Sequence, residues 1–299
     1  MKTGREISWR WAGETFQVGF EREGAGPILL LLPALSSIST RSEMRPLQGR
    51  LSGTFTTVSV DWPGFGNCAK PRVDWRPEAY AAFLEHLLTQ VVPKPFATIA
   101  AGHAASYALK QAATMPGSTG RLCLVAPTWR GPLPTMIGRR HPAFAWIVRA
   151  VDRPFFGQLL YRLNVNPLVV RVMGRGHVYA NPDWLNGSRL GEKLAVTKAA
   201  GARYASVRFV AGELDLVASR AEFLALAERI TGPILLLYGA GTPPKSKAEM
   251  EALALRPNVR RVILPSGKLS VHEEFPGPVA DAIKSFLTEG SSSPIAMQG

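Results

Sequence analysis

Short apolar runs alternate along this chain with longer segments in which apolar residues recur every three or four positions. Residues 28–32, 96–101, 122–127 and 234–238 are nearly continuous in apolar residues, and 55–60 joins Phe and Val to Thr and Ser, also as a strand would. Runs of that length, without polar alternation, are those of strands buried on both faces of a parallel sheet. Between them, residues 77–91 place Tyr80, Phe83, Leu84, Leu87 and Leu88 at helical spacing. Residues 105–114, 222–230, 246–254 and 279–287 also read as helices, and 261–264 as a last strand. Near the start, residues 7–11 and 15–21 are β-forming stretches joined by Ala12-Gly13-Glu14, a hairpin signal. Strands that alternate with helices imply an α/β fold with a mostly parallel, doubly wound sheet and helices on both faces.

The alternation breaks once, between about 129 and 220. Within that break, residues 143–151 and 155–163 are apolar on one side and carry Arg149, Arg153 and Arg162, with Pro154 between them. Proline ends one helix and opens the next, so these are expected to be two short amphipathic helices. Residues 129–205 hold twelve of the Lys and Arg residues against three acids, a net +9 out of the chain's +13, and nine of its 26 aromatics. Basic residues interleaved with aromatics suit an anionic partner: lipid headgroups, an acidic protein or nucleic acid. Arg149, Arg153 and Arg162 are the candidate contacts to such a surface. The competing reading is a solvated, Arg-rich lid whose aromatics line its own core.

Composition narrows the remaining classes. A chain of 299 residues with 46% hydrophobic and 19% charged content can bury a full core, so the expectation is globular. Cys68 and Cys123 make no disulfide framework, and Cys123 lies in an apolar run as a small core residue would. The first residues carry no secretory pattern, and the longest apolar run, of about ten residues, is too short to span a bilayer. The expected location is cytoplasmic, with an anionic membrane surface as one candidate place of attachment. No Cys/His cluster has metal-ligand spacing, no phosphate-binding glycine loop is present, and Gly64-Phe65-Gly66 lacks the rest of a dinucleotide fingerprint. No metal or cofactor is implied. Without a nucleic-acid-binding motif, the basic segment alone does not argue for DNA or RNA.

Three motifs in order carry a family resemblance. They are Asp61-Trp62-Pro63-Gly64-Phe65-Gly66, Gly102-His103-Ala104 after the strand at 96–101, and Glu273-Glu274-Phe275-Pro276 before the last helix. Together they resemble the D-x-P-G-x-G turn, the G-H-S nucleophile elbow and the E-x-P segment of the α/β-hydrolase superfamily. The resemblance implies a hydrolase core over 1–128 and 206–290, a cap inserted at 129–205 and a flexible tail at 291–299. Mapped residue by residue, it puts Ala104 at the nucleophile, Thr242 at the acid, and Lys268 or Leu269 at the base. None of these can form the Ser-His-Asp relay. The backbone N–H groups of Leu35 and Ala105 fall at the oxyanion donors, with His103 and Ser106 beside them in the expected pocket.

His272 is the candidate substitute base. Cys68, Ser106, Lys268 and the pair Glu213 and Asp215, which follow an apparent strand, are weaker substitutes. Packing, capping and solvent-exposed roles compete for each of them. The expectation is therefore a hydrolase-like protein without conventional serine chemistry: a binding or scaffold protein with an apolar pocket under a basic cap. The alternatives are a lyase, isomerase or cyclase using His272, or a hydrolase of a lipophilic ester with a relocated triad.

Overall fold

A computed structural model describes residues 3–289, with side chains from residue 6 onward; the tail expected to be flexible at 291–299 lies outside the described residues. Eight strands form one sheet: β1 (Thr3–Trp11), β2 (Glu14–Glu23), β3 (Ile28–Leu32), β4 (Thr56–Val60), β5 (Ala97–Ala101), β6 (Arg121–Val125), β7 (Ile234–Gly239) and β8 (Val259–Leu264). Their order is β1-β2-β4-β3-β5-β6-β7-β8. The hairpin β1–β2 is antiparallel and β2 joins β4 antiparallel, whereas every pair from β4 to β8 is parallel. Every residue of β4, β5 and β7 is buried, which is why β7 reads as an apolar run and β5 nearly so, while β4 buries two threonines and a serine among its valines. The last strand, β8, is an edge, and its exposed Arg260 and Arg261 discourage pairing with another chain.

Helices α1 (Arg45–Leu51), α2 (Pro77–His86) and α3 (Ala104–Thr114) flank the first half of the sheet. The chain runs from β3 outward to β4, then crosses back to β5 on the other side of β3. The loops after β3 and β5 therefore diverge at the carboxyl ends of adjacent strands, the place where open α/β sheets leave a crevice.

The insertion is helical: α4 (Pro132–Ile137), α5 (Ala143–Asp152), α6 (Phe156–Asn164), α7 (Pro167–Met173), α8 (Gly187–Lys198) and α9 (Ala202–Ala211). Two small cores form inside it. One gathers Phe144, Val148, Val151, Tyr161, Val207 and Ala211, and the other Val170, Tyr179, Leu185, Leu190 and Leu194. Some of the cap's aromatics do line its own core, then, while others do not. Helix α9 runs straight through the boundary expected at 205/206. The stretch before Glu213, read from its Val and Phe content as a strand, is the second half of this helix, which Gly212 ends in the left-handed conformation. Burial against α5 and α4 outweighs β-propensity there. Helices α10 (Arg220–Glu228), α11 (Pro244–Ala254), α12 (Val271–Glu274) and α13 (Pro276–Thr288) complete the core.

A cluster of aromatics fastens the amino-terminal hairpin to the site. Trp9 packs edge-on against Phe83 of α2 at 5.2 Å between ring centroids, and Phe83 in turn meets Trp62 at 6.0 Å. Tyr80 and Tyr107 join the same cluster and reach α3. Phe83 is fully buried. Its replacement in Phe83→Ala is expected to lower unfolding free energy by about 3–5 kcal/mol, read from the denaturant midpoint.

Candidate active site

Strand β5 ends in a turn whose left-handed residue is Gly102, at φ +51°. Residue 103 is already in the right-handed helical region, and α3 begins at Ala104. A side chain on Gly102 would face Ala34, with a Cβ 3.1 Å from that residue's methyl. So the sharp strand-to-helix junction, facing the loop after β3, falls two residues before the position expected from the Gly102-His103-Ala104 motif. Ala104 sits fully buried in the first helical turn. The Ala105 N–H, expected to point into a pocket, donates to the Gly102 carbonyl at 3.2 Å and belongs to that turn. Ser106 donates to the His103 carbonyl at 2.9 Å and is likewise helix packing.

The loop after β3 is held from three sides. Trp62 of the Asp61 motif donates its indole N–H to the Pro33 carbonyl at 2.9 Å. Glu43, in the short turn Arg41–Met44, accepts the Ala34 N–H at 2.6 Å. Ser206 of α9 meets Ser37 at 2.5 Å between hydroxyl oxygens. Small residues let the cap come this close: a Cβ on Gly64 would lie 3.1 Å from the Ala205 methyl. Leu35, His103, Ala105 and Ser106 are all buried in this seam. The two cavities described, of about 310 and 690 Å³, are lined by other residues. The smaller lies by Trp129, Arg130 and Glu249, and the larger between Arg45 and Trp184. Neither of these cavities is lined by Gly102, Leu35 or Ala105.

Two buried titratable clusters flank the elbow. In the first, His103 donates from Nε2 to the Leu214 carbonyl at 3.1 Å and lies 3.6 Å from Asp215. Asp215 accepts the Gly131 N–H at 2.7 Å. Burial pushes His103 down to about 4, and it pushes Asp215 up to about 7 against the opposing pull of Arg140 and the Gly131 N–H. His103 thus ties the elbow to the segment that leaves the cap, and Glu213 lies apart from it, 3.9 Å from Arg208.

The second cluster was not legible beforehand. Glu43 lies 3.5 Å from His272 Nε2 and 3.6 Å from Lys193 Nζ of α8. Lys193 also donates to Glu273 at 3.0 Å, and the Tyr179 hydroxyl donates to the same carboxylate oxygen at 2.7 Å. Burial raises Glu43, but His272, Lys193 and the Ala34 N–H outweigh it and hold the carboxyl below its ordinary value. Burial likewise opposes the charge on Lys193, and Glu273, Tyr179 and Glu43 more than restore it. Of these residues only His272 was a candidate from sequence. Nothing in the spacing of Glu43 or Lys193 marks them.

Other candidates stand apart. Cys68 is buried, and burial pushes its thiol up to about 12. Lys268 donates to the Arg175 carbonyl at 2.5 Å, fastening the cap turn Gly174–Val178. Leu269 packs against the core, and Thr242 is buried in the loop after β7. That loop does lie beside the loop of Lys268: a Cβ on Gly239 would sit 2.2 Å from the Gly267 carbonyl oxygen.

This architecture agrees with a sequence profile of the Alpha/beta hydrolase family over residues 29–282. The chain belongs to that family. A search of curated protein sequences finds no match. Similar solved structures include the haloalkane dehalogenase DatA from Agrobacterium tumefaciens C58, at 18% identity and a TM-score of 0.71 over 96% of this chain and 97% of that one. A thermophilic esterase from Thermogutta terrifontis has 19% identity and a TM-score of 0.71 over 96% and 98%. A membrane phospholipase A described as a bacterial virulence factor has 18% identity and a TM-score of 0.69 over 97% and 87%. At these identities the likeness is one of fold: an eight-stranded α/β-hydrolase sheet with its amino-terminal hairpin.

The two clusters yield separable expectations. His103, at 6.5 ordinarily and about 4 in the fold, binds its proton more readily in the unfolded chain, so it removes stability as pH falls below 6.5. Asp215, at 3.8 ordinarily and about 7 here, binds its proton more readily in the fold, so it adds stability over the same fall. The two oppose each other in the parent. Asp215→Asn keeps the acceptor for Gly131 but leaves His103 alone, so its stability should drop by roughly 2 kcal/mol more than the parent's between pH 6.5 and about 4.5, measured by urea titration at each pH. Lys193→Met strands two carboxylates and should cost about 3–5 kcal/mol by the same measurement at neutral pH.

Proposed function

We propose that this member of the family works without serine-hydrolase chemistry, as a binding or scaffold protein built on the hydrolase fold. One observation carries the reading: the left-handed residue at the β5–α3 turn is Gly102, which has no side chain, while Ala104 is already helical. Acyl transfer needs an oxygen or sulfur nucleophile at that junction. The neighbouring loops support the same reading. By the family resemblance Thr242 falls at the acid and Lys268 or Leu269 at the histidine, and a Cβ on Gly239 would sit 2.2 Å from the Gly267 carbonyl oxygen. Its one well-placed histidine, His272, faces Glu43. Helix α9 is seated on the loop after β3 through Ser206 and Ser37, with Ala205 close to Gly64.

A second reading rests on His272 itself. The imidazole is buried beside an ionised carboxylate, neither ring nitrogen meets a protein hydrogen-bond partner, and Glu43 simultaneously holds the loop after β3. A buried carboxylate–imidazole pair is suited to proton transfer, as in a lyase, an isomerase or a cyclase, once the cap lifts. The dehalogenase, esterase and phospholipase of similar fold make a hydrolase of a lipophilic ester with a relocated triad the corresponding family expectation.

One comparison separates these readings. The purified chain is expected to leave p-nitrophenyl esters of short and long acids unhydrolysed, and to take no label from a fluorophosphonate. Turnover that disappears in His272→Ala, with the fold intact by circular dichroism, would overturn the binding-protein reading in favour of catalysis.

A further inference from the structure

We infer that the outer face of α5, α6 and α7 is a docking surface for an anionic lipid bilayer, on which the cap lies flat. The inference stands apart from whether any chemistry survives at the elbow. Helices α5 and α6 pack onto α9, and α9 packs onto the core, so the outward sides of α5 and α6 point away from the sheet. Those sides are apolar where solvent-exposed helices are usually polar. Trp146, Phe155, Phe156, Leu159, Leu163 and Leu168 are all exposed, Phe155 by 92%, Leu168 by 70% and Trp146 by 69%. On α6, Phe156, Leu159 and Leu163 fall at positions i, i+3 and i+7, a single stripe left uncovered. Contiguous exposed apolar stripes mark an interaction surface rather than ordinary scatter.

Backbone geometry points the same way. Phe155 lies at φ +54°, a conformation glycine adopts freely and a phenylalanine resists. The turn between α5 and α6, closed by the Phe156 N–H donating to the Pro154 carbonyl at 2.6 Å, holds this aromatic ring out in water. A partner that takes up the ring would remove it from water.

Charge selects the partner. Residues 132–173 hold six arginines, no lysine and one acid, Asp152. That acid is already clasped by Arg208 at 2.7 and 3.1 Å, and Arg140 is turned toward Asp215. Arg149, Arg153, Arg162 and Arg171 remain exposed around the stripe, Arg149 stacked 5.4 Å over the Trp146 ring. A second copy meeting this face would bring arginine against arginine with no acid to pair them. Anionic headgroups satisfy the guanidinium groups while the aromatics and leucines enter the acyl boundary, the arrangement of an interfacial helix. No helix among the described residues is long and apolar enough to cross a membrane, so the contact is to one leaflet.

Cosedimentation of the full chain with vesicles tests this directly, using phosphatidylcholine alone and phosphatidylcholine mixed with phosphatidylglycerol. Binding to the mixed vesicles should be about tenfold stronger or more, and should weaken with added salt. The double variant Phe155→Gly with Phe156→Ser should lose about tenfold or more in binding, while its thermal midpoint holds or rises because glycine relieves the strained φ. Arg149→Ser, Arg153→Ser and Arg162→Ser together should remove the preference for anionic lipid and leave the midpoint unchanged. Equal binding to both vesicle types, or unchanged binding by the Phe variant, would overturn the inference. So would absence of vesicle binding in a chain that light scattering finds dimeric and that Phe156→Ser makes monomeric.

Discussion

The carboxylate of Glu43 is the constraint on which the arrangement of this molecule turns. It accepts the Ala34 N–H from the loop after β3, lies against His272 of α12 and faces Lys193 of the cap. Three segments distant in sequence are thereby referred to one buried charge. A buried carboxylate is costly unless it is surrounded by donors and cations, and here burial is offset by a histidine, a lysine and a backbone N–H together. Lys193 extends the same network to Glu273 and Tyr179. The Ala180 and Asn181 N–H groups add two bonds to Glu274, so α12 and the cap are joined along several residues. The motif resembling E-x-P is thus a seat for the cap.

Opposite that seat, α9 closes the other side. Its Ala205 and Ser206 rest on Gly64 and Ser37, and His103 reaches the Leu214 carbonyl just beyond the helix. A cap held on both flanks of the elbow by buried polar bonds differs from a lid resting on an apolar ligand. The bond from His103 to Leu214 is fully buried, and there loss of one partner leaves the other unsatisfied. The division of the cap's aromatics follows from the same geometry. Phe144, Tyr161 and Tyr179 face inward and are buried, whereas Trp146, Phe155 and Phe156 lie on the side turned away from the seam.

Much of the core was legible in the chain because burial on both faces of a parallel sheet leaves an unmistakable apolar run. Strands β3, β5, β6 and β7 fall within a residue or two of the runs that announce them. The hairpin, the break in alternation and the helices at 143–152 and 156–164 were equally plain, since period two and period 3.6 leave different marks. The apparent strand before Glu213 misled, because Val207, Phe209 and Val210 favour strands locally and only packing under α5 makes them helical. The elbow misled by two residues. Gly-His-Ala resembles a nucleophile turn as text, but which residue takes a positive φ depends on where β5 ends, and that is set by its pairing with β3 and β6.

By itself, then, the sequence determined the fold class and the concentration of arginine between residues 129 and 205. Those properties are local, readable from residue type and period. Tertiary structure alone decided that Glu43, Lys193 and His272 share one charge cluster, that α9 seats on the loop after β3, and that the cap's uncovered aromatics face outward. Each of these depends on which distant segments meet, and a contact between segments far apart in the chain leaves no period in either of them.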